Sequence, residues 1–176
     1  GKKVSVQLLT NVRSGNCTQN CAYCAQSKDS QAEIEKYKRV SDEKLYGDND
    51  LVDEKHLARH CIGLSGIGFS DEEIADRIRE MKKKDTQICC SIGFLTEKQA
   101  RILKDAGLDR INHNLNSSRS FYPEICTTHT YDQRVNNIKM LQSLGFEICS
   151  GGIVGMGESK EDIVDMLMDL REINPE

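Results

Sequence analysis

No apolar run in the 176 residues approaches the length of about 20 residues that a helix needs to cross a bilayer, so we expect no membrane partner. Neither sign of charge dominates: 24 Lys and Arg residues stand against 28 Asp and Glu residues, mixed along the chain, which gives no support to nucleic-acid binding. No signal peptide is visible, because the chain opens with Gly1-Lys2-Lys3 and a strand-like run. The composition, 38% hydrophobic and 30% charged, is typical of one soluble globular domain over residues 1–176.

Cysteine, in contrast, is abundant, with 8 residues. Oxidising compartments favour disulfides, whereas the cytosol favours free thiols, metal ligands and catalytic cysteines. Because no secretory segment is visible, we interpret the cysteines as reduced and metal-binding, and we expect a cytoplasmic location.

Strand-like and helix-like segments alternate along the chain. The predicted strands are Val4–Leu9, His60–Leu64, Gln87–Ile92, Arg110–Leu115 and Glu147–Gly151. Helix starts are indicated by the capping boxes Ser70 with Glu73, Thr96 with Gln99 and Thr130 with Gln133, and by Ser159 with Asp162. Helix ends are indicated by Gly107, Gly145 and Pro175.

This alternation predicts a parallel α/β sheet. We count five βα units, whereas a closed (β/α)₈ barrel needs roughly 250 residues. The chain is therefore predicted to be an open α/β sheet or a barrel without its last strands. The first connection, from Asn11 to about Lys28, is long, and Gln31–Arg59 is predicted to be largely helical with a break at Gly47-Asp48-Asn49-Asp50.

Polar and thiol side chains share one face of the predicted strands. Since side chains alternate between the faces of a strand, Cys61, Cys89, Asn112, Asn114 and Cys149 lie opposite the Ile and Leu residues of the same strands. The Ile and Leu face should meet the helices. Burying this many polar and thiol groups on the other face is costly unless something binds there, so the pattern predicts a binding site.

The segment Cys17-Thr18-Gln19-Asn20-Cys21-Ala22-Tyr23-Cys24 places three thiols within eight residues of the loop after the first predicted strand. Thiolates are the usual ligands of iron–sulfur clusters, and three of them on a four-iron cubane leave one iron open. A zinc site and a local disulfide are the alternatives that this spacing leaves open, although zinc usually takes a fourth protein ligand.

This CxxxCxxC spacing, with an aromatic residue before the last Cys, resembles the signature of radical S-adenosylmethionine (SAM) enzymes. The sequence from Asn11 to Ser27 resembles biotin synthases in particular. Two further blocks are similar to that family: Asn112-His113-Asn114-Leu115 with Tyr122, Thr127-Thr128, Thr130-Tyr131 and Arg134, and Cys149 to Glu158. The resemblance covers nearly the whole chain, is weakest over Lys28–Arg59, and implies a radical SAM TIM-type (β/α) barrel truncated after about five βα units.

The resemblance also implies a role for individual residues. Cys17, Cys21 and Cys24 would hold a [4Fe–4S] cluster, whose open iron binds the amino and carboxylate groups of SAM. The expected contacts to SAM are Tyr23 and Ile153 at the adenine, Asn114 and Asn116 at the ribose, and Arg134 at the methionyl carboxylate. Asn116 stands where the family often has Asp, and it keeps the acceptor oxygen without the charge.

A second cluster is implied by Cys61, Cys89 and Cys149, which match the ligands of a sulfur-donating [2Fe–2S] cluster in biotin synthases. Taken alone, each of these cysteines is more often a small core residue. The family's fourth ligand is an Arg on a later strand, which this chain lacks. Because the auxiliary cluster can differ among biotin synthases, the type of this cluster stays open. Asn112 and Asn114 would face the substrate dethiobiotin.

The implied activity is sulfur insertion into dethiobiotin to form biotin. Reductive cleavage of SAM gives a 5′-deoxyadenosyl radical that removes hydrogen from the substrate, and the second cluster supplies the sulfur. The implied partners are flavodoxin or ferredoxin as electron donor and, for the full-length protein, a second copy in a homodimer. We expect the 176-residue piece alone to be inactive, because its first and fifth strands would be open edges.

Two other functions compete with this one: another radical SAM enzyme of the hydrogenase-maturation or thiazole-pathway type, and a non-catalytic iron–sulfur or zinc-binding protein. Of the remaining Cys and His residues, Cys90 and Cys126 are predicted to be structural or free thiols. Cys90 should point toward the helices, Cys126 should lie in a loop, His60 and His113 should be core residues, and His56 and His129 should be exposed.

Overall fold

Five parallel strands form one sheet in chain order. The computed structural model describes residues 4–66 and 71–175. The strands are β1 (Gln7–Arg13), β2 (Arg59–Leu64), β3 (Ile88–Ile92), β4 (Arg110–Asn112) and β5 (Glu147–Cys149), and the helices are α1 (Asp42–Glu54), α2 (Asp71–Met81), α3 (Glu97–Asp105), α4 (Tyr122–Ile125), α5 (Tyr131–Ser143) and α6 (Lys160–Ile173). The sheet order β1-β2-β3-β4-β5 confirms the predicted α/β class. Among the described strands, β1 and β5 are the two edges.

The hydrophobic core lies between the sheet and the helices. The strand residues on this side are Ile62, Ile88, Cys90, Ile111 and Ile148, each at most 2% exposed. They belong to one cluster with residues of the packing helices, among them Ile78, Leu103 and Ile138. The predicted division of the sheet into a core face and an opposite face is therefore correct, and Cys90 is a core residue.

The helices α3, α5 and α6 begin where the sequence predicts. Thr96, Thr130 and Ser159 are N-caps, and each forms a capping box with the residue three positions later. The cap predicted at Ser70 lies outside the described residues. Gly107 and Gly145 follow α3 and α5 with φ of 94° and 79°, a region that favours glycine, so both predicted helix ends are confirmed.

Strand β1 is displaced from the predicted Val4–Leu9. Its pairing with β2 begins at Gln7 opposite Arg59, while Val4 and Val6 stay 86% and 58% exposed. Backbone partners on β2 set the extent of β1, and apolar content alone does not reveal them. The predicted β4 and β5 are likewise too long, since β4 ends at Asn112 and β5 at Cys149.

The prediction of helix over Gln31–Arg59 is wrong in two respects. Helix α1 starts only at Asp42, because the segment before it runs along β1, where Tyr37 pairs with Ser14. The predicted break is absent, since α1 continues through Gly47 to Glu54. The polar residues there make tertiary contacts instead: Asp48 accepts a hydrogen bond from Thr10 at 2.7 Å, and Asn49 donates to the Met81 carbonyl at 3.1 Å.

Within residues 4–66 and 71–175, the structure contains no helix that is both long and apolar enough to span a bilayer.

Candidate functional site

A cavity of about 310 Å³ opens at the carboxyl ends of the strands. Of the residues predicted from the resemblance, it is lined by Cys17, Cys21, Tyr23, Cys24, Asn112, Asn114, Asn116 and Arg134. Ile153 is not part of this lining. Parallel α/β sheets place ligand sites at this edge because the loops from all strands meet there. The cysteine loop and the polar residues after β4 thus share one site, as predicted.

The cysteine loop is attached to the segment that follows α4. Ala22 donates from its backbone to the Ile125 carbonyl at 2.9 Å. Asn20 accepts from the backbone of Thr127 at 3.0 Å and of Thr128 at 3.2 Å. These contacts fix the position of the loop relative to α5, a role for Asn20 that the sequence analysis missed.

Tyr23 and Asn116 contact each other across the cavity. Asn116 donates from its side-chain amide to the Tyr23 hydroxyl at 2.6 Å. Asn116 has a φ of 70° and is held by its backbone, which accepts from the Ile153 amide at 2.9 Å and donates to the Gly151 carbonyl at 3.0 Å. Ile153 therefore contributes to the site through its backbone. Burial raises the pKa of Tyr23, so its hydroxyl stays protonated at neutral pH.

Arg134, on α5, is oriented by two neighbours. Its Nε donates to the Tyr122 hydroxyl at 2.8 Å, and its Nη2 donates to His129 Nε2 at 2.9 Å. His129 Nδ1 in turn donates to Gln19 Oε1 at 2.7 Å, so the imidazole connects the cysteine loop to Arg134. Burial, followed by the charge of Arg134, lowers the pKa of His129 to about 4, which keeps the ring neutral and its Nε2 an acceptor at neutral pH.

The prediction that His129 is exposed is therefore wrong, since the residue is 7% exposed. The sequence indicated only that it follows two Thr residues in a loop. Its burial results from the loop folding back under α5 against Phe94, whose ring makes an edge contact with the imidazole at 4.9 Å.

Cys126 follows α4, in a loop as predicted, and lies beside the cysteine loop. Its Sγ is 3.8 Å from the Cys21 Sγ and 3.4 Å from His129 Nδ1. The possible metal-ligand atoms of Cys21, Cys126 and His129 all lie within 4.8 Å of one another. In the described part of the chain, this is the one set of three Cys, His, Asp or Glu side chains that is so close. Burial, followed by Cys126, raises the pKa of Cys21 to about 11. Without a cation, Cys21 is therefore a thiol.

A second group of cysteines lies on the sheet face opposite the helices, which we call the inner face. Cys61 and Cys89 are register partners on β2 and β3. Cys149 on β5 is the register partner of Asn112, whose side chain donates to the Cys149 Sγ at 3.7 Å. All three cysteines therefore project from the predicted face. Cys149 lies two residues nearer the carboxyl ends of the strands than Cys61 and Cys89 do.

The inner face lowers the pKa of the Cys61 thiol, which donates to Gln7 Oε1 at 3.1 Å. A hydrogen bond from Cys89 lowers the pKa of Cys61 to about 7, with Arg59 and Arg110 contributing through their charges. The pKa of Cys89 is raised, because its thiol donates that bond and is buried. Arg110 is the register partner of Cys89 and forms an ion pair with Glu147 at 3.3 Å. Arg110 was not among the predicted site residues, although its place two residues before Asn112 puts it on the same face.

Of the two histidines predicted to be core residues, His60 is fully buried, with Nε2 2.8 Å from the Thr10 hydroxyl. His113 is 3% exposed but lines the cavity. Burial is the main cause that lowers the pKa of His113 to about 3, so the ring is neutral. His113 therefore belongs to both the core and the site.

Comparison with known proteins decides the family. The model of the radical SAM superfamily matches residues 11–170. The chain belongs to the radical SAM superfamily. Among curated proteins it is similar to the biotin synthase of Rhodopirellula baltica, with 43% identity over 98% of the chain and 49% of the relative. It is also similar to the biotin synthase of Bacillus subtilis strain 168, with 40% identity over 99% of the chain and 53% of the relative. The chain thus spans about half the length of the curated relatives it matches, and the resemblance seen in the sequence is confirmed.

Solved structures agree on the fold. Methylornithine synthase superposes with a TM-score of 0.85 at 14% identity, over 98% of this chain and 52% of that enzyme. HydG, a maturase of the [FeFe]-hydrogenase, gives a TM-score of 0.70 at 18% identity, over 96% of this chain and 40% of the HydG chain. The described sheet is therefore the corresponding part of a radical SAM, TIM-type barrel.

Membership of this superfamily implies a [4Fe–4S] cluster and SAM as cofactors. The site fits both on its own chemistry. Three cysteines open onto one cavity with a cation, Arg134, and several amides. Cys21, a thiol in the absence of a cation, has the soft ligand atom that an iron ion deprotonates and binds.

Proposed function

We propose that this chain supplies the part of a biotin synthase that binds SAM and the iron–sulfur clusters. The whole enzyme would insert sulfur into dethiobiotin. The observation that carries the proposal is the pair of cysteine sets: Cys17, Cys21 and Cys24 at the cavity, and a second set on the inner face next to it. The similarity to biotin synthases at about 40% identity supports the same activity.

In the first set, Cys17, Cys21 and Cys24 would hold the [4Fe–4S] cluster. Three ligands leave one iron for the amino and carboxylate groups of SAM. Once bound, cluster and SAM supply a radical able to remove hydrogen from an unactivated carbon. Arg134 would bind the methionyl carboxylate, because its guanidinium lines the cavity and is oriented by Tyr122 and His129.

The amide residues would position the rest of SAM. Asn114 and Asn116 would contact the ribose, and both line the cavity. Tyr23 would pack on the adenine, with its hydroxyl fixed by Asn116. Ile153 would complete the adenine pocket from the strand-end segment that bonds to the Asn116 backbone.

In the second set, Cys61, Cys89 and Cys149 would hold the sulfur-donating cluster, of the [2Fe–2S] type. The lowered pKa of Cys61 supports metal binding there, since a thiolate is the ligand form. Asn112 and Asn114, at the cavity between the two sets, would face dethiobiotin.

We also propose a domain, a location, an electron donor and an oligomeric state for this protein. Residues 1–176 would form a radical SAM core domain, acting in the cytoplasm, with flavodoxin or ferredoxin as electron donor. The whole enzyme would be a homodimer. The grouping of six cysteines into two candidate metal-binding sets supports a reducing location, where thiols bind metals.

A chimaera tests the proposal. The 176 residues replace the matching segment of the Bacillus subtilis relative, and the product is expressed in a biotin auxotroph. We expect growth without biotin, and loss of growth when Cys61 is changed to Ala. Purified chimaera that produces 5′-deoxyadenosine but no biotin would indicate a different radical SAM reaction, and one that binds iron without cleaving SAM would indicate a non-catalytic protein.

The 176-residue chain alone, reconstituted anaerobically, is expected to bind iron and some SAM but to form no biotin. Catalytic biotin formation by this chain would contradict that expectation.

A further inference from the structure

Cys126 and His129 lie outside the CxxxCxxC spacing, yet both side chains reach Cys21. We propose that, in protein without an iron–sulfur cluster, Cys21, Cys126 and His129 bind a single thiophilic divalent cation of the Zn²⁺ type. This site goes beyond the proposed function and does not depend on it, whereas its competition with the cluster rests on the proposed role of Cys21. Because Cys21 belongs to both sites, the cation and the [4Fe–4S] cluster exclude each other.

The distances match a tetrahedral metal centre. With Zn–S bonds of about 2.3 Å and Zn–N bonds of about 2.0 Å, two sulfur ligands lie about 3.8 Å apart, and a sulfur and a nitrogen about 3.5 Å apart. The Sγ atoms of Cys21 and Cys126 are 3.8 Å apart, and the Cys126 Sγ is 3.6 Å from His129 Nε2. Two of the three separations therefore match those that the cation requires, and the ligand atom of His129 lies within 4.8 Å of the Cys21 Sγ.

The imidazole has the tautomer that a metal ligand needs. Nδ1 carries the proton and donates to Gln19 Oε1 at 2.7 Å, which leaves the lone pair on Nε2. A hydrogen bond from the far nitrogen to an oxygen acceptor is the usual outer-shell contact of a metal-bound histidine. Binding the cation through Nε2 would replace the contacts that this atom now accepts from Tyr122 and Arg134.

Two buried cysteine side chains are in contact here. Cys21 and Cys126 are 9% and 4% exposed, and the Cys21 Sγ donates to the Cys126 Sγ at 3.8 Å. The Arg134 guanidinium, 2.9 Å from His129 Nε2, places a positive charge beside the site, so a cation needs both cysteines as thiolates to bind. A divalent cation removes both thiol protons and neutralises the resulting charges. Cys21 and His129 also line the cavity, so a water molecule can take the fourth position.

Co²⁺ is the probe, because thiolate-bound tetrahedral Co²⁺ has a characteristic visible spectrum and Zn²⁺ displaces it. The experiment starts from a base variant of the 176-residue chain with Cys61→Ser and Cys149→Ser, which leaves Cys89 as the one thiol of the three on the inner face and so removes that set as a competing site. In this base we expect one Co²⁺ per chain. Cys126→Ser should weaken binding by more than about 100-fold, since losing an outer-shell partner alone costs about 10–100-fold.

The matched controls are Cys17→Ser and Cys24→Ser, which remove the other two motif thiols and should leave Co²⁺ binding within about threefold of the base variant. Full binding by Cys126→Ser, or its loss in Cys17→Ser, would overturn the proposal and assign the cation to the motif cysteines. Circular dichroism checks each fold. If Cys126→Ser is unfolded, His129→Gln replaces it in the experiment. We then expect a shifted Co²⁺ spectrum and binding weaker by about tenfold or more. An unchanged spectrum would contradict the site.

A second readout tests the exclusion. Base variant loaded with Zn²⁺ should take up less iron on anaerobic reconstitution than metal-free base variant, and Cys126→Ser should remove this difference. Equal iron uptake by the loaded and metal-free base variant would show that the two metals do not share Cys21.

Discussion

Replacing His129 tests how the site positions Arg134. The imidazole accepts a hydrogen bond from the guanidinium at 2.9 Å and donates to Gln19 at 2.7 Å, so His129→Ala removes both contacts. A hydrogen bond to a charged group contributes about 1.5–3 kcal/mol. At about 1.4 kcal/mol per tenfold change in affinity, binding of the SAM carboxylate should weaken by about 10- to 100-fold.

Equilibrium dialysis of SAM against anaerobically reconstituted protein measures this loss. His129→Gln places an amide oxygen near the position of Nε2 and should restore most of the affinity, whereas His129→Asn, which reaches only toward Gln19, should not. Decarboxylated SAM provides the control, because a ligand without the carboxylate gains nothing from Arg134. Unchanged SAM affinity in His129→Ala, or equal losses for the two ligands, would refute the role of His129 as a positioning residue.

Three further outcomes follow from the described contacts. Cys89→Ala removes the bond that lowers the pKa of Cys61, so alkylation of Cys61 at pH 7, followed by mass spectrometry, should slow by about tenfold; an unchanged rate would argue against that bond. His113, whose pKa falls in the folded protein, binds fewer protons there than in the unfolded chain, so the free energy of unfolding should fall as pH drops from about 6.5 toward 4, by up to about 1.4 kcal/mol per pH unit from this residue. His113→Gln should flatten that dependence in denaturant titrations and the exposed His56→Gln should not; equal slopes would contradict it. Ser159→Ala removes the N-cap of α6 and should lower the free energy of unfolding by about 1 kcal/mol, measured by urea denaturation, with no change expected if the cap is dispensable.

Local chemistry made much of the fold predictable. Thr96 and Thr130 cap their helices as the spacing to Gln99 and Gln133 indicates, because a capping box is formed by residues within one turn. The face of each central strand was equally predictable, since alternation is a property of the extended backbone. Strand ends were not, because β1 stops where β2 no longer offers partners.

The candidate site also has features that the local sequence predicts and features that only the tertiary structure reveals. The sequence by itself determined the cysteine motif, the inner-face thiols and the asparagines after β4, because spacing and strand parity fix where such residues project. Only the tertiary structure decided that Cys126 and His129 lie beside Cys21 and that His129 contacts Arg134. The contacts of Cys21 with Cys126, of Gln19 with His129 and of Asn20 with Thr127 and Thr128 join the loop after β1 to a segment more than a hundred residues later. No local periodicity encodes such a contact, since it depends on how the sheet brings the ends of β1 and β4 to one edge.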